Sequence, residues 1–233
     1  IELHRHLFDS SEDAHDDLNR FFADFRPVEI DGFLAMPPYE HLLYLILHAY
    51  KHFINCGIGL RQFCDIGLWA REYHDAIDWQ KLHDQCASVH AATFASAAFR
   101  IATEYLGIPI ELPSLWHTSI DVEPMLHDTL CGGVYGSNDY TRLHSSTITL
   151  NAVKSSRKGE KSTILRTVFP KKVYLESRYP YLKKHPYLLP VAWAQRIIHY
   201  AEEKQGSADN SASGSIKLAK ERIALMKQYN IMD

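Results

Sequence analysis

YEHLLYLILHAYKHFI (39–54) decides how this chain is read. Leu42, Leu43, Leu45, Ile46, Leu47, Phe53 and Ile54 fill most sides of a single helix. His41, Tyr44, His48, Lys51 and Asn55 recur at helical spacing as a polar stripe, with His52 beside it. A helix this apolar is expected to be buried on most sides. An unpaired buried polar atom costs on the order of 1–3 kcal/mol, so the stripe must find partners or water. Two readings follow: core histidines bonded to carbonyls, or polar groups converging on a cleft. Pro37 and Pro38 suit the start of this helix, and Gly57 and Gly59 its end.

Further helices are expected on the C-terminal side. They are LRQFCDIGLWAREYH (60–74), WQKLHDQCASVH (79–90) capped by Asp78, and ATFASAAFRIATEYL (92–106) halted at Gly107 and Pro109. DVEPMLHDTL (121–130) reads as a short helix, CGGVYGSNDY (131–140) as loop, and EKSTILRTVF (160–169) as a short helix halted by Pro170. Residues 171–190 are broken by prolines into short pieces. LPVAWAQRIIHYAEEK (189–204) is helical, residues 205–215 form a flexible linker by composition, and residues 216–233 carry a terminal amphipathic helix.

On the N-terminal side, SSEDAHDDLNRFFADF (10–25) reads as a helix with Ser10 or Ser11 as cap, and RPVEIDGFLAMPP (26–38) as loop or extended. In IELHRHLF (1–8), Ile1, Leu3 and Leu7 alternate with Glu2, His4 and His6, which is the period of a half-buried strand. Beyond that strand the chain reads as almost all α.

Composition narrows the function. With 233 residues and a net charge of -3, there is no global basic field of the kind that drives nonspecific nucleic-acid binding. The four cysteines show no CxxC spacing, so reduced thiols and a cytoplasmic setting are expected. The longest apolar run is too short for a membrane span.

Several constellations could carry chemistry. His48 and His52 are four apart, the spacing of helical zinc sites, yet HAYKH has no glutamate base and Lys51 would repel a dication. Arg61 and Asp65 are also four apart and could pair. Two basic clusters stand out, RKGEK (157–161) and the set Lys171, Lys172, Lys183 and Lys184, which is interleaved with tyrosines; both read as solvated faces. No Gly-rich phosphate loop, GxSxG elbow or dinucleotide fingerprint occurs.

Taken in order, IELHRHLF, HLLYLILHAYKHF, GLRQFCDIGLWARE, IDWQKLHDQC, EYLGIP and FPKKVYLESRYPYLKKHPYLLPVAWAQRIIHY resemble the uncharacterised nucleotidyltransferase family of the polymerase-β-like superfamily. The resemblance covers about residues 1–204 and is thinnest between 111 and 162. It implies a small α/β core in which a GS…DxD strand and a third acid on a later strand hold divalent metal at a nucleoside triphosphate. Glu2 matches the third acid, and residues 1–8 match that later strand. No GS followed by DxD on a strand is present in this sequence. The expected fold is therefore mostly α: a multi-helix bundle (9–204) following the remnant last strand (1–8) of a truncated nucleotidyltransferase core.

The same resemblance implies transfer of a nucleoside monophosphate from an NTP to an unknown small-molecule or protein acceptor, with Mg²⁺ as cofactor and this chain inactive alone. Glu2 would be the metal ligand, and His48 or His52 the acceptor-side base. Lys51, Arg61 and Asp65 match polar positions of the family's helical motif, and Lys51 and Arg61 would contact phosphate. A noncatalytic helical module that binds a protein or peptide partner is the alternative.

Overall fold

The computed structural model describes residues 7–8, 18–30, 32–55, 57–131, 148–153, 155–156, 172–176, 178–202 and 212–232. Among these the chain is mostly helical, with one two-stranded sheet. The expected strand at 1–8 lies outside the described residues except for Leu7 and Phe8. So do residues 10–17 of the first expected helix, the loop after Cys131, the segments at 157–171, and residues 205–211 of the expected linker.

Two helices start where the sequence places their caps. α1 spans Pro38–Asn55 with Pro38 in its first turn, where a missing N–H costs nothing. α2 spans Leu60–Glu72, and the Gly59 N–H donates to Gln62 Oε1 at 3.0 Å to tie its entry. α3 spans Trp79–Ala87, and Asp78 Oδ1 accepts from the Lys81 N–H at 2.9 Å, satisfying one orphan donor of the first turn. α4 spans Ala92–Glu104. Gly107 follows it in the left-handed region (φ 66), which turns the Ile108 N–H back onto the Ala102 carbonyl at 3.0 Å. α5 spans Glu123–Cys131. The prolines of 171–190 give the expected short pieces, among them Lys172–Leu175 and Tyr181–Lys184, before α6 at Leu189–Glu202.

Two elements depart from the sequence reading and one settles between its alternatives. Leu18–Phe22 is a 3₁₀ turn followed by a bend rather than the end of an α-helix. Asn19 explains part of this. Its side-chain amide pairs with Phe8, accepting from the Phe8 N–H at 3.0 Å and donating to the Phe8 carbonyl at 2.8 Å. The amide thus stands in for a neighbouring strand while Phe8, Leu18 and Phe22 enter the core. Second, the segment read as loop or extended holds a hairpin, β1 (Val28–Ile30) and β2 (Phe33–Ala35), antiparallel in the register Val28–Ala35, Glu29–Leu34, Ile30–Phe33. Gly32 sits in its turn at φ 81, as a two-residue hairpin loop requires. Third, the terminal helix α7 spans Ala212–Gln228, starting four residues inside the stretch read as linker.

α1 is the centre of the main core. Leu42, Leu43, Ile46, Leu47, Phe53 and Ile54 are fully buried and pack with residues of α2, α3 and α4. The α2–α4 contact is close because Gly67 faces Ala102: a Cβ built at Gly67 would lie 2.8 Å from the Ala102 Cβ. Helix α7 belongs to this core as well. Met226, Tyr229 and Ile231 are buried in it, and the Tyr229 ring meets Phe53 edge-on at 6.1 Å.

Candidate functional site

The polar stripe of α1 survives as a structural feature. Tyr39, Leu42, Leu43, Ile46, Leu47, Ala49, Tyr50, Phe53 and Ile54 are buried, whereas His41, Tyr44, Leu45, His48, Lys51, His52 and Asn55 are half-buried. At 100° per residue these half-buried positions fall on one side of the helix. The stripe therefore lies at the edge of the core.

Its upper end is packed with aromatics. The His41 imidazole stacks on Trp69 of α2 with centroids 3.9 Å apart, and the Trp69 indole N–H donates to the Pro38 carbonyl at 2.9 Å. Burial holds the His41 imidazole below its ordinary pKa, so its neutral form is favoured in the stack. Tyr44 sits against Phe8 and Phe22 with ring centroids at 5.8 and 6.3 Å. Burial also raises the pKa of its phenol, keeping the hydroxyl protonated.

Below Tyr44 the imidazoles follow in series. The Tyr44 hydroxyl lies 3.4 Å from His48 Nδ1, with ring centroids 5.3 Å apart, and His48 meets His52 edge-on at 4.5 Å. Lys51 and Asn55 continue the same side of the helix, half-buried. The structure thus brings His48 and His52 together, with Lys51 beside them in sequence. Arg61 and Asp65 form their own pair on α2 at 3.6 Å, and the Arg61 side chain is 84% exposed. A pair so open to solvent contributes little to stability, about 0–1 kcal/mol.

Glu2 lies outside the described residues. Among the described residues no group of three or more His, Cys, Asp and Glu converges as a metal site. Beside the Tyr44 hydroxyl and the Asn55 amide the stripe offers imidazole nitrogens and an ammonium but no carboxylate, a poor match for Mg²⁺. It matches an anion better.

In the second basic cluster, Lys172 and two of the neighbouring tyrosines have local partners. Lys172 pairs with Glu176 at 3.1 Å, the Tyr181 hydroxyl donates to Gln195 at 2.8 Å, and Tyr187 lies 3.0 Å from His185 Nδ1. The RKGEK stretch lies outside the described residues. No described helix is long and apolar enough to cross a membrane.

Sequence reasoning overlooked Arg222 and Asp128. Arg222 is 1% exposed and held against Asp128, behind the last turn of α1. A signal was present: Ala219, Arg222, Met226 and Tyr229 follow one another at helical spacing along a buried face, with an arginine among apolar residues.

No curated protein and no solved structure matches the chain. Residues 1–107, which hold the hairpin and α1–α4 and end at the Gly107 turn, match the family described as uncharacterised nucleotidyltransferase.

Proposed function

We propose that this chain supplies the substrate-facing helical part of a nucleotidyltransferase that moves a nucleoside monophosphate from an NTP to an unknown small-molecule or protein acceptor. The observation that carries the reading is the half-buried Tyr44–His48–Lys51–His52 stripe on α1, inside the family-matched residues. Lys51, with Arg61 from α2, offers positive charge to phosphate oxygens. Either His48 or His52 takes the acceptor's proton, since an unperturbed imidazole titrates near neutrality. Asp65 restrains Arg61 at 3.6 Å.

Mg²⁺ enters through the family resemblance, with Glu2 as its ligand. When bound it would neutralise the triphosphate and orient the leaving oxygens. The stripe itself adds no oxygen cage to hold it. With no DxD strand in the sequence, the chain is proposed to be inactive alone.

The test is isothermal titration of ATP with Mg²⁺ into the full-length gene product. Lys51→Ala is expected to weaken binding about ten-fold, as loss of one charge-assisted hydrogen bond does, and Glu2→Ala to abolish the Mg²⁺-dependent part. A protein that takes up no nucleotide at all would favour the second reading, a noncatalytic module for a protein or peptide partner. That reading draws on the hairpin, where Phe33 and Leu34 are 75% and 80% exposed.

A further inference from the structure

We infer that His74 is a proton-operated latch: with both ring nitrogens protonated it ties the connector between α4 and α5 to the turn that follows α2, and loss of one ring proton frees that connector. The latch does not depend on the nucleotidyltransferase reading.

The geometry calls for two protons on the ring. His74 opens the short 3₁₀ turn His74–Ala76 just after α2. Its Nδ1 lies 3.0 Å from Asp75 Oδ1, and its Nε2 lies 2.6 Å from the Glu111 carbonyl oxygen. A carboxylate and a carbonyl only accept, so each nitrogen needs its own hydrogen to bond its partner. The imidazolium satisfies both. A neutral ring has one N–H and must set a lone pair against one of the two oxygens. The carboxylate is the stronger acceptor and keeps the remaining N–H. The Glu111 carbonyl is then the partner that is lost.

That loss matters because little else bonds this stretch. Among the described residues, the His74 contact is the one hydrogen bond made by residues 109–112. Ile110 and Leu112, on either side of Glu111, pack against the main core only half-buried. The far end of the connector is anchored separately. Trp116 is buried edge-on against Phe99 at 5.1 Å, and Arg100 donates to the Ile120 carbonyl at 2.8 Å. Release at Glu111 therefore loosens the near half while Trp116 stays seated.

The charges that act on His74 are the Asp75 carboxylate beside it and the Glu111 carboxylate of the connector; α3 faces it with the uncharged Trp79 ring at 5.4 Å. The hydrogen bond to Asp75, helped by the Glu111 carbonyl and by both acidic charges, outweighs partial burial and holds the imidazole above its ordinary 6.5. A group raised in this way stabilises the fold fully below the unfolded value and loses that contribution as pH climbs through the folded one. The latch is closed in acid and opens in base.

Histidine-ring NMR and ¹³C-methyl relaxation of the full chain, from about pH 5.5 to about pH 9, test the latch. At the acid end His74 should carry a proton on each nitrogen, with a titration midpoint above 6.5. The methyls of Ile110 and Leu112 should be stiff there and gain amplitude with the same midpoint, while the buried Ile101 of α4 stays unchanged. His74→Gln can donate to Glu111 without titrating and should abolish the pH dependence of the two methyls. Asp75→Asn should move the midpoint toward lower pH. A wild-type His74 midpoint at or below 6.5 overturns the inference, as do methyls that ignore His74 protonation. So does a pH dependence that persists in folded His74→Gln protein.

Discussion

Arg222 of α7 reaches both carboxylate oxygens of Asp128 on α5, at 2.9 and 3.2 Å from one guanidinium nitrogen, and donates from the other to the Phe53 carbonyl in the last turn of α1. The arginine is buried and Asp128 nearly so. A cation at the C-terminal end of a helix also meets the negative end of its dipole. One side chain thus joins three helices next to His52.

Removing one partner leaves a buried charge without its counter-ion. Arg222→Met or Asp128→Leu alone should cost about 3–5 kcal/mol, while the double variant Arg222→Met/Asp128→Leu should regain most of that loss. Urea denaturation of the three variants checks it. Additive losses in the double variant would show that the two residues act separately.

The close approach of α2 and α4 predicts a second stability effect. Gly67→Ala places a methyl 2.8 Å from the Ala102 Cβ, and overpacking of this kind costs about 1–3 kcal/mol. Adding Ala102→Gly should relieve part of the clash. The helix penalty of a glycine, roughly 1 kcal/mol, limits the rescue. Thermal melts of the single and double variants make the comparison.

His41 gives the protein a defined acid sensitivity. Burial holds its folded pKa below the ordinary 6.5. As pH falls past about 6.5, the unfolded chain takes up a proton that the folded protein still refuses, so stability declines toward the lower folded value. His41→Phe keeps an aromatic ring on Trp69 and removes the titration. It should lose less stability than wild type between about pH 7.5 and pH 5.5, as read from urea midpoints.

Thiol reactivity reports how tightly α3 is packed. Cys86 is fully buried, and burial pushes its thiol up to about 12, whereas Cys131 is exposed. Only the thiolate reacts readily. Iodoacetamide labelling followed by peptide mass mapping should modify Cys131 in the native protein and Cys86 only once denaturant is added.

The parts of this fold that sequence reveals are local ones. The α1 stripe follows from side-chain spacing within eighteen residues, and the Asp78 cap and the Gly107 turn follow from their neighbours. The hairpin's segment is legible only as loop or extended because each strand has three residues, although Asp31-Gly32 between VEI and FLA is a hairpin-turn pair. Phe8 and Asn19 pair through an amide, which leaves no periodic trace. Arg222 escaped for a different reason. Its helix marks it as an arginine on an apolar face, but its partners lie 94 and 169 positions earlier in the chain, and nothing within the helix says which residues they are.

The docking of α7 also bears on how the polypeptide can be divided. A cut after residue 204 would strip Tyr229 from the face of Phe53 and take Arg222 from Asp128. Such a shortened product would bare apolar surface at the very turn that carries His52, and would be prone to clump. Any dissection meant to preserve the histidine row must keep the final seventeen-residue helix attached.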